Sequence, residues 1–421
     1  MIRTFVDFMI RPEFHDNSWA SMAYCCVGLC MAPFIGSGVS FVVVSGLVFT
    51  SLHFLTGRLK WALPRPVTFV YLALVGVCAA DLLAAIIYPS VMVLSEVFEN
   101  LVFLGFAGIY SITFVERSRL LHAVEGTAPV AALLAIPVLW LFFGEHARAE
   151  MATGNPSVLA LVAAVLYVLN IGAADRRWNR MSLLHLAAAA SAAYLVILTG
   201  TRAMWLALIL VPLLSLFINH SLKRILAGLP ILLLLFGGAV GLLSVYSQTF
   251  ETRVAAIASD LDAISAGDLS GSLGQRIRIY EAGYALALER PIFGYGPGNE
   301  RQQLADKTLE LSGESIAFSH AHNALLTTML RSGLLGLVAL AALLTVPLIV
   351  AYRARRDEVG NAGYFVLSGV MIVYICSGTV GLMLGHDIHD SVFVTALCFS
   401  LYLVFGRGEA PAAGQHTQTR I

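Results

Sequence analysis

The chain has 421 residues, 58% of them hydrophobic and 12% charged, with a mean hydropathy of +0.81. A soluble surface cannot be built from that composition, so the fold class is an all-α integral membrane protein. Its 26 basic residues balance 26 acidic ones, and nothing in that balance points to a nucleic-acid partner.

At the start of the chain, Arg3, Asp7, Arg11, Glu13 and Asp16 precede the first long apolar run, and no small-residue cleavage site follows closely. This is not the pattern of a cleaved signal peptide. Ile2, Phe5, Val6, Met9 and Ile10 recur at helical spacing, so residues 2–11 are either an amphipathic helix on the membrane surface or a frayed terminus. Apolar runs near the length that crosses about 30 Å of hydrocarbon then follow. They predict about twelve transmembrane helices near 19–34, 36–56, 66–89, 91–115, 128–144, 155–174, 181–198, 202–218, 223–246, 320–350, 361–384 and 388–406. Gly36, Gly38 and Pro89 mark places where a span either ends or breaks. All six cysteines fall within apolar runs and read as packing residues.

Basic residues occupy alternate loops: Arg58, Lys60 and Arg65; Arg117 and Arg119; Arg176, Arg177 and Arg180; Lys223 and Arg224; Arg353, Arg355 and Arg356. By the positive-inside rule those loops and both termini face the cytoplasm. The organisation expected is nine helices in 1–246, a large and mainly helical exported segment at 247–318, three helices in 319–407, and a polar cytoplasmic tail at 408–421. The same alternation puts three polar clusters on the exported face: residues 199–202 (TGTR), 319–323 (SHAHN) with the 247–318 segment, and 385–390 (GHDIHD).

Arg202 stands at the end of an apolar helix, where a guanidinium either clamps an anion or snorkels to the interface. In 274–299 (GQRIRIYEAGYALALERPIFGYGPGN) a helix is expected to stop at Pro291 and to run into a Gly-rich turn. Ile277, Tyr280, Tyr284 and Leu288 make its apolar stripe, leaving Arg276 or Arg278 toward a polar cavity. Gly294, Gly296 and Gly298 read as turn residues, since no strand precedes them and no Lys-Ser/Thr follows, as a nucleotide loop requires. His320 and His322 stand where the exported segment re-enters the membrane, with Ser319 as the expected N-cap. Two histidines at i and i+2 share a site only if the first lies in the cap or loop. There an imidazole accepts a proton near neutrality, and the helix N-terminus favours phosphate. His386, Asp387, His389 and Asp390 cap the opposite turn, either as metal ligands, as carboxylates that orient a histidine or pair with an arginine, or as a solvated turn. Their spacing matches no metal motif, and no metal is assigned.

The succession TGTRAMW, GQRIRIYEAGYALALERPIFGYGPGN and SHAHNALLTTMLRSGLLGL resembles the O-antigen ligase and polymerase superfamily of bacterial inner membranes. The resemblance covers residues 199–345. It implies transfer of a glycan from an undecaprenyl diphosphate-linked O-antigen to a hydroxyl at the periplasmic face, with no cofactor and no nucleotide hydrolysis. Thr201 and Arg202 match the family's Ser/Thr-Arg pair, and Arg276 and Tyr280 its Arg-x-x-x-aromatic element, with tyrosine where tryptophan is commoner. His320, His322 and Asn323 match its His-x-His-Asn element. The implied roles are diphosphate binding for Arg202, Arg276 or Arg278 and proton acceptance for His322 or His320, with Asp387, Asp390 and Tyr280 as candidates to orient them. The paired histidines followed by Asn point to a ligase, whose acceptor is lipid A core oligosaccharide, acting in the inner membrane among its lipids with inversion at the anomeric carbon. O-antigen polymerase and protein O-oligosaccharyltransferase are alternatives of the same family. A lipid-linked glycan transporter is the alternative of another class, disfavoured because neither charged residues near the bilayer midplane nor repeat symmetry is seen.

Overall fold

A computed structural model describes residues 18–56, 63–89, 93–113, 115–144, 148–176, 180–219, 222–316 and 320–407. The expectations for 2–11, for Ser319 as a cap and for the 408–421 tail lie outside the described residues. Among the described residues the secondary structure is helical, with no strand. In chain order the principal helices are α1 (Ser18–Cys30), α2 (Ser40–Thr56), α3 (Arg65–Ile87), α4 (Val93–Asn100), α5 (Gly105–Ile112), α6 (Arg117–Val138), α7 (Pro156–Arg176) and α8 (Arg180–Leu198). They continue as α9 (Ala203–Asn219), α10 (Leu222–Tyr246), α11 (Gln248–Ser265), α12 (Ser272–Glu289), α13 (Asn299–Ser312), α14 (Ala324–Ala354), α15 (Glu358–Val380) and α16 (Asp387–Phe405).

Among the described residues eight helices are long and apolar enough to cross a membrane, and four shorter apolar helices stand at Ser21–Cys30, Leu101–Ile112, Ala203–Ile218 and Phe236–Tyr246. The chain is a multi-pass membrane protein. Helices α7 and α16 are apolar all round and buried over 89% and 94% of their apolar windows, so they form the centre on which the others pack. Around them α8, α9 and α15 lie against α7, and α1, α2, α5 and α15 against α16.

The division expected between 34 and 36 falls instead at Met31, with a short helix Ala32–Ile35 and a 3₁₀ turn Gly36–Val39 leading into α2. Three further spans take a different form. The run 91–115 divides into α4, a 3₁₀ turn at Leu101–Leu104 and α5. Polar partners dictate the division, because Glu96 and Asn100 must meet groups on other helices. The span expected at 128–144 begins at Arg117 instead, since its first turns carry charges that lower hydropathy without ending the helix. Of these, Glu125 pairs with Arg176, and Arg117 with Asp357, the N-cap of α15.

The third difference is in α14, where Gly333 breaks the helix with φ 63° and ψ −153°. The freed backbone groups are taken up by the Gly-rich turn: Tyr295 N donates to Leu330 O (2.7 Å), Gly296 N to Arg331 O (3.0 Å) and Leu334 N to Pro291 O (2.8 Å). Irregular backbone at this depth survives where protein re-satisfies it. A Cβ at Gly333 would lie 2.3 Å from Ile292 O, so this position is glycine for space as well as for φ. The turn also grips α3, since Asn299 Nδ2 donates to Tyr88 O (3.0 Å) and the Arg290 guanidinium lies between the Tyr88 and Tyr295 rings.

Within 247–316 the chain is mainly helical, as α11, α12 and α13. The buried face of α12 is Ile279, Ala282, Gly283 and Leu286, not the expected stripe. Tyr284 and Leu288 are exposed, because Gly283 and Ala282 let α12 approach α14 on the other side.

Candidate functional site

The turn 199–202 follows α8, and Arg202 precedes α9. Arg276 lies in the second turn of α12. His320 and His322 lie in the short stretch before α14, whose N-cap is Asn323, its side chain accepting from Leu326 N at 3.0 Å. The helix therefore starts after both histidines, and their rings lie with centroids 4.4 Å apart and planes tilted by 53°. His322 has φ +51°, rare for a residue with a side chain, and the Tyr280 hydroxyl donates to its carbonyl at 3.0 Å.

Arg202, Arg276, His320 and His322 line one cavity of about 690 Å³, together with Thr201, Arg148, Arg253, Arg301, Glu96, Glu99, His386 and His389, whereas Tyr280 acts from outside it. Five arginines thus share the cavity with four histidines and two glutamates. Burial, then His322, Arg301 and Arg276, push His320 down to about 4. Burial and Arg276 also lower His322, opposed by the Val380 backbone carbonyl, which accepts the ring N–H. That bond fixes the tautomer, so the opposite ring nitrogen carries the basic lone pair. Both imidazoles are neutral at pH 7. Burial lowers Arg202 as well, with Asp260 at 3.9 Å opposing it and Arg253 and Arg276 adding to it.

Arg278, one helical face away from Arg276, does not join the cavity and pairs with Glu314 at 2.5 Å. Neither acid of the 385–390 turn lines the cavity. Asp387 Oδ1 lies 3.0 Å from His386 Nδ1, and Asp390 accepts the Gly385 amide with both oxygens, at 3.0 and 3.2 Å, which shapes the turn. Among the described residues no group of three or more His, Cys, Asp or Glu side chains is arranged to hold a metal ion.

Beside the cavity, and sharing His320 and Arg301 with it, lies a buried charge network that the hydropathy reading passed over. Arg331 Nη1 meets Glu96 Oε2 at 2.9 Å, and its Nη2 meets Asp81 Oδ2 at 3.2 Å. Asp81 also accepts Asn100 Nδ2 (2.6 Å) and Ser332 Oγ (2.6 Å), and Glu96 accepts Arg301 Nη2 (2.5 Å). A smaller cavity of about 80 Å³ lies among Asp81, Asn100, Arg301, Thr327, Arg331 and His320, so His320 and Arg301 face both spaces. Charged residues do therefore occur inside spans. The signal in the sequence was Asp81 in one apolar run and Arg331 in another, two opposite charges that only a partner makes tolerable.

A family described as O-antigen ligase matches residues 186–341. That stretch takes in Arg202, Arg276, His320 and His322. An uncharacterised protein of Haemophilus influenzae is 21% identical over 296 residues, which is 68% of this chain and 73% of that protein.

Proposed function

We propose, from the premise that this chain is a member of the O-antigen ligase superfamily through residues 186–341, that it joins O-antigen from an undecaprenyl diphosphate carrier to lipid A core oligosaccharide at the periplasmic face of the inner membrane. One observation carries the reading: Arg202, Arg276, His320 and His322 come from three separate segments and line a single cavity. An acceptor hydroxyl attacks the anomeric carbon as the bond from that carbon to the phosphate oxygen breaks. The diphosphate leaves with one more negative charge, which Arg202 and Arg276 stabilise, and a preorganised donor of this kind contributes about 3 kcal/mol. The hydroxyl proton passes to the neutral His322, with His320 beside it. Attack opposite the leaving group inverts the anomeric centre. The donor is already activated by its diphosphate, so the transfer consumes no nucleoside triphosphate. Both termini are cytoplasmic in this reading.

The test is transfer by the purified protein from undecaprenyl diphosphate-linked O-antigen to lipid A core, alongside the lipopolysaccharide pattern of a host lacking the gene. Core without O-antigen, with polymer retained on the carrier, supports the ligase. Core bearing a single repeat means polymerase, and an unchanged pattern redirects the reading to protein glycosylation or transport.

A further inference from the structure

Arg202 and Arg276 are two of five arginines that line the cavity, and Arg301 among them is held by Glu96. Arg148 and Arg253 are the other two, and neither resembles a family motif. Arg148 is fixed by the turn that carries Arg202: its Nε donates to Thr199 O at 2.7 Å and its Nη2 to Thr201 Oγ1 at 3.1 Å. Ala149 N donates to Leu198 O at 3.0 Å, which ties the two segments together. Arg253 comes from α11 and passes over Gly200, where a Cβ would lie 2.7 Å from its Nε. Among the described residues, Asp260 near Arg202 is the one carboxylate within 4 Å of any of the four guanidiniums.

The four are close enough to act on one another. Arg148 is lowered by burial and then by Arg253 and Arg202, and Arg202 in turn feels Arg253 and Arg276. Arg276 in its turn lowers His322. Arg148 is bonded to the turn that carries Arg202, and Arg253 crosses the same turn, while Arg276 lies on α12, whose Tyr280 bonds the His322 carbonyl. The arginines therefore run from Arg148 and Arg253 through Arg202 and Arg276 toward the histidines. Four forks from separate segments suit an anion with more than one phosphorus centre. A phosphodiester offers two free oxygens, whereas a diphosphate diester offers four over two phosphorus atoms, and each guanidinium binds oxygens as a planar fork.

We infer that Arg148 and Arg253 form a second phosphate subsite, so that the donor lies with its sugar-bearing phosphate at Arg202 and Arg276 and its prenyl-bearing phosphate at Arg148 and Arg253. This rests on the diphosphate-donor reading above and adds to it a direction for the substrate in the cavity. It also makes the protein selective for diphosphate over monophosphate carriers.

The experiment is calorimetric titration of the purified full-length protein in detergent with inorganic pyrophosphate and, separately, inorganic phosphate. Wild-type protein is expected to bind pyrophosphate about tenfold or more tightly than phosphate. Arg253→Gln and Arg148→Gln should each remove most of that preference while leaving phosphate affinity within about twofold. Because Arg148 ties two segments, Arg148→Lys is the second variant, keeping charge while losing the fork. Arg278→Gln, outside the cavity, should change neither affinity. Retained preference in the Arg148 and Arg253 variants overturns the second subsite. An equal loss in Arg278→Gln overturns it too, since that would be the effect of distant charge alone. Absence of any pyrophosphate preference in the wild type overturns the diphosphate reading itself.

Discussion

The Tyr280 hydroxyl donates to the carbonyl of His322 across 3.0 Å, and His322 is held there at φ +51°. A residue in that region stays only where its surroundings over-determine it, at a cost of about 1–3 kcal/mol. Removing the hydroxyl frees the loop to relax and turns the imidazole away from the acceptor. Tyr280→Phe is expected to lower kcat by roughly fivefold, equivalent to about 1 kcal/mol, with donor KM within about twofold. An unchanged kcat would show that the bond does not position His322.

Acidification should act on both stability and rate. His320 falls from an ordinary value of 6.5 to about 4 in the folded protein, chiefly through burial. The unfolded chain binds its proton first, so the contribution is complete above about pH 6.5 and is lost as pH falls toward 4. The loss is on the order of 3 kcal/mol, read as a falling melting temperature in detergent between pH 6.5 and 4, and it should be smaller in His320→Gln. For transfer, kcat/KM reports the free protein, so its acid limb should lie below the ordinary histidine range. Bound diphosphate offsets Arg276, so the acid limb of kcat should lie at higher pH. Coincident limbs would refute the coupling between Arg276 and His322.

Arg331→Ala leaves Asp81 and Glu96 buried without their shared cation. Breaking a buried pair by removing one partner costs about 3–5 kcal/mol. The variant should melt well below wild type in detergent and accumulate poorly in membranes. A melting temperature unchanged within error would mean that Arg301 and Asn100 suffice.

Gly333→Ala puts a methyl 2.3 Å from Ile292 O at a φ that disfavours side chains. The expected loss is about 2 kcal/mol or more, checked by thermal unfolding. The same substitution at Gly126, which has no neighbour within 4 Å of a Cβ, is the control and should be near neutral.

The helical character of 247–316, the Gly-rich turn, and the meeting of Arg202, Arg276, His320 and His322 were all legible in the sequence, because each depends on local spacing or on a motif. Arg278 was not separable from Arg276, since two residues of offset on a helix swing a side chain through more than half a turn, and only α12 seated on α14 decides which one faces inward. The stripe through Tyr284 and Leu288 misled because the close approach at Gly283 turns Ile279 and Leu286 inward instead. Arg148 and Arg253 are invisible to pattern reading because they sit in polar stretches where an arginine is ordinary. The network of Asp81, Glu96, Asn100, Arg301 and Arg331 draws on helices far apart in sequence, and hydropathy averages it away.

The bonds between the Gly-rich turn and the break in α14 have a mechanical consequence. Pro291, Tyr295, Gly296 and Asn299 anchor the α12–α13 arm to α14 and α3 by backbone and amide hydrogen bonds, so this arm cannot swing as a flap without rupturing several at once. The α10–α11 arm leans on α9 through Phe250 stacked on Trp205 and through Asp260 reaching toward Arg202. Stiffness is therefore uneven around the cavity. Load placed on the α12–α13 arm passes directly into α14 and α3.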